Sequence, residues 1–264
     1  MDQFRVKEKR LPTRWDLDPV SSENPVVLKS AGGHAAWVNS KAFELAGITA
    51  ETKEDSRGRI LRDKKGVPIG IVHEYAMQIF WNMAEPPTDE VLLETARSSL
   101  QAAAKVGWTT IHHVMIPFPG GLGYSFAEIR PFMELHRRKK LPIRVWMIIN
   151  PYHQSSMPED SSLLDKLIEL GLHTDFGDEM LKIGCIKIIA DGSPQAHSAY
   201  LSEPYADNPN TFGIIRYPEE RGVSKTLNRL VSKAHKAGFQ LMIHAIGDRA
   251  GDRAAYVCRQ LERF

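Results

Sequence analysis

The chain has 264 residues and a formal net charge of +2, with 42% hydrophobic and 25% charged residues. This composition is typical of a globular protein and excludes a disordered or fibrous chain. The charges are mixed along the chain and the longest apolar runs contain Arg144 or Lys187, so we expect neither nucleic-acid binding nor a membrane helix. The first residues do not resemble a secretory signal, and Cys185 and Cys258 lack the spacing of metal ligands. We therefore expect a cytoplasmic protein.

The first third of the chain shows no regular alternation of helices and strands. An extended segment is predicted at Val26–Lys29, a short helix at Ser40–Ala46 and a hairpin over Arg59–His73. The prolines in Glu85-Pro86-Pro87 end this part, because proline blocks both helix interiors and central strands. We predict an inserted α+β capping segment over residues 1–87.

From residue 88 onward, amphipathic segments alternate with short apolar segments, which is typical of helices that cover a parallel sheet. The helices are predicted to begin near Thr88, Ser125, Ser162 and Ser224, and the strands at Trp108–Met115, Ile143–Asn150, Leu181–Ala190 and Phe239–Ala245. Repeated crossovers of this kind imply a parallel α/β sheet, and four strands cannot close an eight-stranded barrel. We therefore predict an α/β fold, a partial TIM (β/α)8 barrel over residues 88–264.

Lys187 interrupts an otherwise apolar predicted strand. A lysine there must reach the surface, pair with a carboxylate or be chemically neutralised. One route is carboxylation, in which a lysine of depressed pKa adds carbon dioxide and becomes a carbamate that can bridge two divalent cations. A lysine paired inside the barrel, or one that reaches its rim, is the alternative.

Three histidines stand at or near predicted strand ends. His244 ends the last predicted strand and a polar loop follows, which is where a barrel presents metal ligands. A histidine held there by a hydrogen bond is the alternative. His112 and His113 are neighbours on one strand, so their side chains point to opposite faces and at most one can enter the barrel. The sequence contains no His-x-His, His-Glu-x-x-His, phosphate-loop or nucleophile-elbow motif.

A segment near the N-terminus places His34, Trp37 and Asn39 beside a predicted helix start. These residues could cap a ligand pocket. Alternatively, Asn39 or Ser40 is only an N-cap and Trp37 only a core residue.

Six stretches, taken in their order along the chain, carry a resemblance to a known family. They are Gly33–Ala42, Gly58–Ile60 with Gly66–Gly70, Gly107–His112, Lys187–Ser193, Glu203–Tyr205 and His244–Ala250. Together they resemble the YtcJ-like branch of the amidohydrolase superfamily, the amidohydrolase 3 family, over almost the whole chain.

The resemblance implies a barrel that holds one or two divalent metal ions, usually zinc, which lower the pKa of a bound water. Lys187 would be the lysine of the fourth barrel strand, commonly carboxylated, and His244 the metal-binding histidine of the fifth. The implied reaction is hydrolysis of non-peptide, amide-type carbon–nitrogen bonds in a small molecule.

The resemblance also implies residues that contact the substrate. His34 and Trp37 would lie in the insertion that helps to close the substrate pocket. Asp191 and Ser193 would lie in a loop that follows the metal-binding lysine and faces the site.

Several residues that the family uses have no counterpart in this sequence. The His-x-His of the first strand, the histidine of the sixth and the catalytic aspartate of the eighth are missing. Two ligands cannot hold a catalytic zinc well, so we expect the chain by itself to be an inactive fragment. The alternative function is that of a non-catalytic truncated remnant or interaction partner. Unpaired strand edges would favour a homo-oligomer or association with a missing half.

Overall fold

The structure, a computed structural model, describes residues 7–8, 10–30, 33–54, 58–81, 83, 85, 87–116, 126–151, 162–217 and 224–261. The chain divides into two compact units. The first unit comprises residues 1–84, 190–216 and 245–252, and the second comprises residues 85–189, 217–244 and 253–264. The domain division at residue 87 stays a prediction.

The first unit contains a four-stranded antiparallel sheet. Its strands are β1 (Val27–Lys29), β2 (Ala35–Val38), β3 (Gly58–Arg62) and β4 (Pro68–Glu74), in the order β1-β2-β4-β3. Its helices are α1 (Arg14–Leu17), α2 (Ser40–Leu45) and α3 (Gln78–Trp81). Apolar side chains from β2, β3 and β4 pack with Phe43 of α2 and Phe80 of α3 into one buried cluster. The predicted segment, short helix and hairpin are confirmed.

Strand β2 is a difference from the sequence analysis, which assigned no strand to that stretch. All four of its residues are buried, so its sequence lacks the polar alternation that marks a half-exposed strand. Asn39 follows it and caps α2, because its side chain accepts a hydrogen bond from the Ala42 amide at 2.9 Å. Asn39 is therefore the N-cap of α2, whereas a role in capping a ligand pocket stays a prediction.

The second unit contains a four-stranded sheet in which every pairing is parallel, in the order β5-β6-β7-β8. Its elements are α4 (Asp89–Lys105), β5 (Thr110–Ile116), α5 (Arg130–Arg137), β6 (Arg144–Ile149), α6 (Ser162–Glu169), β7 (Leu181–Ile189), α7 (Lys225–Lys236) and β8 (Leu241–His244). A further helix, α8 (Asp248–Leu261), begins in the last segment of the first unit. The α/β fold with a parallel sheet is confirmed, whereas its place in an eight-stranded barrel stays a prediction.

The helix boundaries follow from local chemistry. The side chains of Thr88 and Ser224 accept hydrogen bonds from the third residue after each and cap α4 and α7, the helices predicted to begin near them. Pro131 lies in the first turn of α5, so the α-helix begins only at Arg130, after a short 3₁₀ turn. Ser125, near which another helix was predicted to begin, lies outside the described residues. No helix in the described segments is long and apolar enough to cross a bilayer.

One face of the parallel sheet packs against helices. On β7, Ile186 and Ile188 belong to the same buried cluster as residues of α4 to α7, and on β8, Leu241 and Ile243 pack against that cluster. Since side chains alternate along a strand, the residues between them lie on the opposite face.

Candidate functional site

Lys187 lies on the face of the parallel sheet opposite the helices. It sits between Ile186 and Ile188, which belong to the helix-side core. Only 8% of its surface is exposed, and burial lowers the pKa of its amine. In the part of the chain that the structure describes, no carboxylate pairs with Lys187. The alternative that Lys187 is paired with a carboxylate inside the fold is therefore not supported by the described residues.

His244 lies on the same face, at the C-terminal end of the neighbouring strand β8. Lys187 pairs with Met242 and Ile189 pairs with His244 in the parallel register, so His244 lies two residue pairs further along and its side chain is on the same face. His244 is half-buried. The structure thus brings the two predicted metal ligands onto one face of adjacent strands, near the carboxyl ends where parallel α/β sheets present reactive groups.

The described residues near Lys187 and His244 do not form a complete metal site. Among the described residues, no three His, Cys, Asp or Glu side chains group together in a way that could hold a metal. Lys187 and His244 are therefore a partial set, since a catalytic zinc takes three protein ligands and an open position. They fit such a site as two of its members.

The two adjacent histidines of β5 point to opposite faces, as predicted. The ring of His112 stacks on Trp146, with centroids 5.2 Å apart and planes 10° apart. The ring of His113 packs against Phe132 of α5, on the helix side, and burial lowers its pKa. Only His112 therefore lies on the face that carries Lys187.

The first unit holds a separate polar centre built on Glu74, the last residue of β4. Its carboxylate is 2% exposed and accepts hydrogen bonds from three side chains. Oε1 accepts from His34 Nδ1 at 2.9 Å and from Ser198 Oγ at 2.6 Å, and Oε2 accepts from Arg216 Nη2 at 2.5 Å. These four residues, Glu74, His34, Ser198 and Arg216, are called the Glu74 centre below.

The charge of the Glu74 centre follows from these contacts. Burial by itself would raise the pKa of Glu74, but the hydrogen bond from His34 and the charge of Arg216 outweigh it and lower the pKa to about 2. The carboxylate is thus ionised near neutral pH. Because an ionised carboxylate only accepts hydrogen bonds, His34 carries a proton on Nδ1.

Asp191 is fully buried and holds two loops of the first unit together. Its carboxylate accepts hydrogen bonds from the backbone amides of Tyr200, Ile246 and Gly247 at 2.8 to 2.9 Å. Both oxygens are used by backbone donors. Its predicted contact with substrate stays a prediction, and the contacts observed here are those of a residue that fixes loop geometry.

The other two predicted substrate residues are also buried. Trp37 is 0% exposed, so the core alternative describes its position in this structure. Ser193 is 7% exposed, and its amide donates to Ser198 Oγ at 2.9 Å. Ser193 therefore touches the Glu74 centre through Ser198, whereas a substrate contact for either residue stays a prediction.

Two charged members of the Glu74 centre, Glu74 and Arg216, were not predicted as site residues from the sequence. Glu74 is the first acidic residue after an apolar strand, and Arg216 follows two isoleucines. A charge next to an apolar run is the signal that could have singled them out. Their pairing could not be predicted, because 142 residues separate them in the sequence.

Comparisons with known proteins add to this geometry. A family model described as the amidohydrolase family matches residues 1–263. The chain is 29% identical to YtcJ of Bacillus subtilis (strain 168) over 241 residues, which cover 91% of this chain and 42% of YtcJ. It is 29% identical to the N-substituted formamide deformylase of Arthrobacter pascens over 254 residues, which cover 94% of this chain and 43% of that protein.

A solved structure is also similar. The crystal structure of a metal-dependent hydrolase from Pyrococcus furiosus matches with a TM-score of 0.62 and 27% identity, over 97% of this chain and 48% of that protein. The chain thus spans less than half the length of each of these three relatives.

Proposed function

Because this chain belongs to the amidohydrolase family, we propose that it forms part of a metal-dependent hydrolase of amide-type carbon–nitrogen bonds other than peptide bonds. The observation that carries the proposal is the placement of Lys187 and His244 on one face of adjacent parallel strands. The name of the Arthrobacter pascens relative supports an amide-type bond, since that protein is described as acting on N-substituted formamides.

Lys187 and His244 would hold a divalent metal ion, zinc in this proposal, within a site for one or two ions. Once bound, the metal would lower the pKa of a coordinated water and polarise the substrate carbonyl. His244 would offer a ring nitrogen from the end of β8. Lys187 would contribute after carboxylation, because an ammonium cannot bind a cation.

Burial prepares Lys187 for carboxylation. A lysine whose pKa is lowered by burial spends more time as the neutral amine, which is the nucleophilic form. The amine nitrogen adds to carbon dioxide, a proton leaves, and a carbamate with two ligand oxygens results. The same reaction turns a buried basic group into an anion suited to a metal.

We further propose that the parallel sheet corresponds to strands two to five of a (β/α)8 barrel, with the antiparallel sheet as its inserted capping segment. The remaining metal ligands and the acid–base residue would then come from other strands of such a barrel. Since two ligands do not hold a catalytic zinc well, we expect the 264-residue chain by itself to show no hydrolysis.

Zinc binding tests the two proposed ligands directly. After removal of metals with a chelator, the chain is titrated with zinc, and binding is measured by calorimetry and by elemental analysis. We expect Lys187→Met and His244→Gln each to weaken binding by about tenfold or more, the scale on which loss of metal-site residues acts.

Lys182→Met is the matched control for the zinc titration. Lys182 lies on the same strand but forms an ion pair with Asp175 at 3.4 Å, so its loss should leave zinc affinity unchanged. Equal zinc affinity in all four proteins would overturn the metal proposal. No zinc binding by a cooperatively folded wild-type chain would favour a non-catalytic remnant.

A further inference from the structure

The outward side of the Glu74 centre is formed by hydrogen-bond donors. The carboxylate of Glu74 is 2% exposed, whereas the side chains of His34 and Arg216 are 20% and 13% exposed. The Glu74 carboxylate is thus more deeply buried than the side chains of His34 and Arg216, which are partly exposed to solvent.

Arg216 has donors left after it pairs with Glu74. A guanidinium carries five N–H donors, and within the described segments the Arg216 side chain donates only to Glu74, through Nη2. Its backbone amide donates to Ala190 at 2.9 Å, which fixes where the side chain starts. The remaining donors belong to a side chain that is anchored at both ends.

From this geometry we infer that Arg216, anchored by Glu74 beside His34, binds a carboxylate group of a small-molecule ligand. Nothing in the metal proposal assigns a role to this residue. The inference rests on the proposed function in one respect only, since it makes the ligand a substrate or product of the hydrolysis.

The anchoring explains why an arginine suits this position. A guanidinium fork matches the two oxygens of a carboxylate, and each hydrogen bond between charged groups is stronger than a neutral one. A free arginine would lose rotamer freedom when it binds, but Arg216 is already held by Glu74. Preorganised donors of this kind bind an anion without further ordering.

Two kinds of ligand share this chemistry. A substrate can carry a carboxylate next to its amide bond, and hydrolysis of any carboxamide yields a carboxylate product. Acetate stands for the product, N-acetylglycine for a substrate with both groups, and N-methylacetamide for an amide without a carboxylate. The three probes separate recognition of the carboxylate from recognition of the amide.

The test is a titration of the ¹⁵N-labelled chain, followed by NMR at the side-chain Nε–H signal of Arg216. Ionic strength is kept constant with chloride. We expect acetate and N-acetylglycine to shift this signal along a saturable curve, while N-methylacetamide leaves it in place. Tighter binding of N-acetylglycine identifies the substrate carboxylate, and equal affinities identify the product.

Variants then tie binding to the guanidinium. Arg216→Lys keeps the charge next to Glu74 but removes the fork, and we expect calorimetry to show carboxylate binding weakened by about tenfold. Arg10→Lys changes another arginine that pairs with a carboxylate, Asp16, and should bind the probes as the wild type does.

The inference is overturned if chloride or N-methylacetamide shifts the Arg216 signal as acetate does, or if no saturation is reached. It is also overturned if Arg216→Lys binds carboxylates unchanged. The titration needs neither metal nor turnover. Its failure therefore leaves the zinc-binding result for Lys187 and His244 untouched, and the two proposals fail separately.

Discussion

At the scale of single residues, the Glu74 centre combines charge burial with unusual backbone geometry. Glu74 has φ 52° and ψ −125°, a combination that residues other than glycine rarely adopt. Gly192 lies so close to it that a Cβ there would overlap the Glu74 carboxylate and the Ser198 hydroxyl. Such strain persists only where surrounding contacts hold it, and it clusters at functional sites.

Glu74→Gln tests how far this carboxylate supports the fold. The substitution keeps the shape but leaves the guanidinium of Arg216, whose side chain is 13% exposed, beside a neutral group, so we expect a loss of about 3 kcal/mol in the free energy of unfolding. Urea denaturation near neutral pH measures it. Glu44→Gln removes an exposed partner of Lys41 and should cost less than about 0.5 kcal/mol. Equal losses in the two variants would contradict a special role for Glu74.

His73 makes the stability of the first unit depend on pH. Burial lowers the pKa of His73 from 6.5 to about 4, while Glu74 opposes the shift and Arg59 adds to it. Between these values the unfolded chain binds a proton that the folded chain does not. The contribution of neutral His73 to the free energy of unfolding is therefore fully present above pH 6.5 and is lost as the pH falls towards 4.

We expect the free energy of unfolding to fall by about 2 kcal/mol between about pH 7 and pH 4.5 on account of His73. Glu74, with its lowered pKa, contributes only below about pH 4.5. Urea denaturation across this range measures the slope. The glutamine of His73→Gln cannot take up the proton. The free energy of unfolding of this variant should therefore fall less between these two pH values, by the amount assigned to His73. Parallel slopes for the two proteins would rule out His73 as the cause.

The residue patterns of the sequence predicted only part of the candidate site. Lys187 and His244 could be singled out because each is a polar side chain in or at the end of an apolar strand. His34 was named as well, but its partner Glu74 was not, because they lie 40 residues apart and no local pattern joins them. Hydrogen-bond networks between distant segments depend on the tertiary fold, which local periodicity does not report.

At the scale of elements, the sequence predicted helix starts correctly where they depend on residues close to each other in the chain. Thr88 and Ser224 cap the helices that they were predicted to begin, and Pro131 delays α5. The strand β2 was missed because it is buried on both faces. Helix α8 was missed because its first residues, Asp248 and Arg249, were interpreted as a polar loop after His244.

Asn39 shows how one side chain can fix several elements of the first unit. Its Oδ1 accepts from the amides of Ala42 and Val26, and its Nδ2 donates to the carbonyls of Ser21 and Asn24, at 2.7 to 2.9 Å. The residue is 0% exposed. It thus ties the segment before β1 to the start of α2.

We expect Asn39→Ala to cost about 3 kcal/mol, since it removes a helix cap and leaves buried backbone groups unpaired. Thr88→Ala removes the cap of α4, a 3.3 Å hydrogen bond from the Val91 amide, and should cost about 1 kcal/mol. Thermal and urea denaturation of both variants give the comparison. Similar costs would mean that the three further hydrogen bonds of Asn39 add little.

At the scale of the whole molecule, the chain builds each unit from segments that are distant in sequence. Residues 190–216 and 245–252 belong to the same unit as residues 1–84, although segments of the second unit separate them in the sequence. The alternating pattern after residue 88 could not reveal this, because it reports periodicity within a segment and not which segments pack together. The α/β class was therefore predictable, whereas the composition of the units was not.

Each unit has its own buried apolar cluster, which makes their cooperativity testable. Leu230 of α7 is 0% exposed in the cluster of the second unit, and Phe43 of α2 is 2% exposed in that of the first. Truncation of either to alanine leaves a cavity that costs about 3 kcal/mol. If each unit opens as its own cooperative element, that cost falls on the unit that holds the cavity.

Hydrogen exchange followed by mass spectrometry distinguishes the possibilities. We expect Leu230→Ala to speed exchange in β6 to β8 and Phe43→Ala to speed exchange in β1 to β4, each with little effect on the other sheet. Val20→Ala alters a side chain that is 85% exposed and should change neither. Faster exchange in both sheets from either truncation would instead mean that the chain opens as one cooperative unit, because a cavity in one cluster would then destabilise every protected amide.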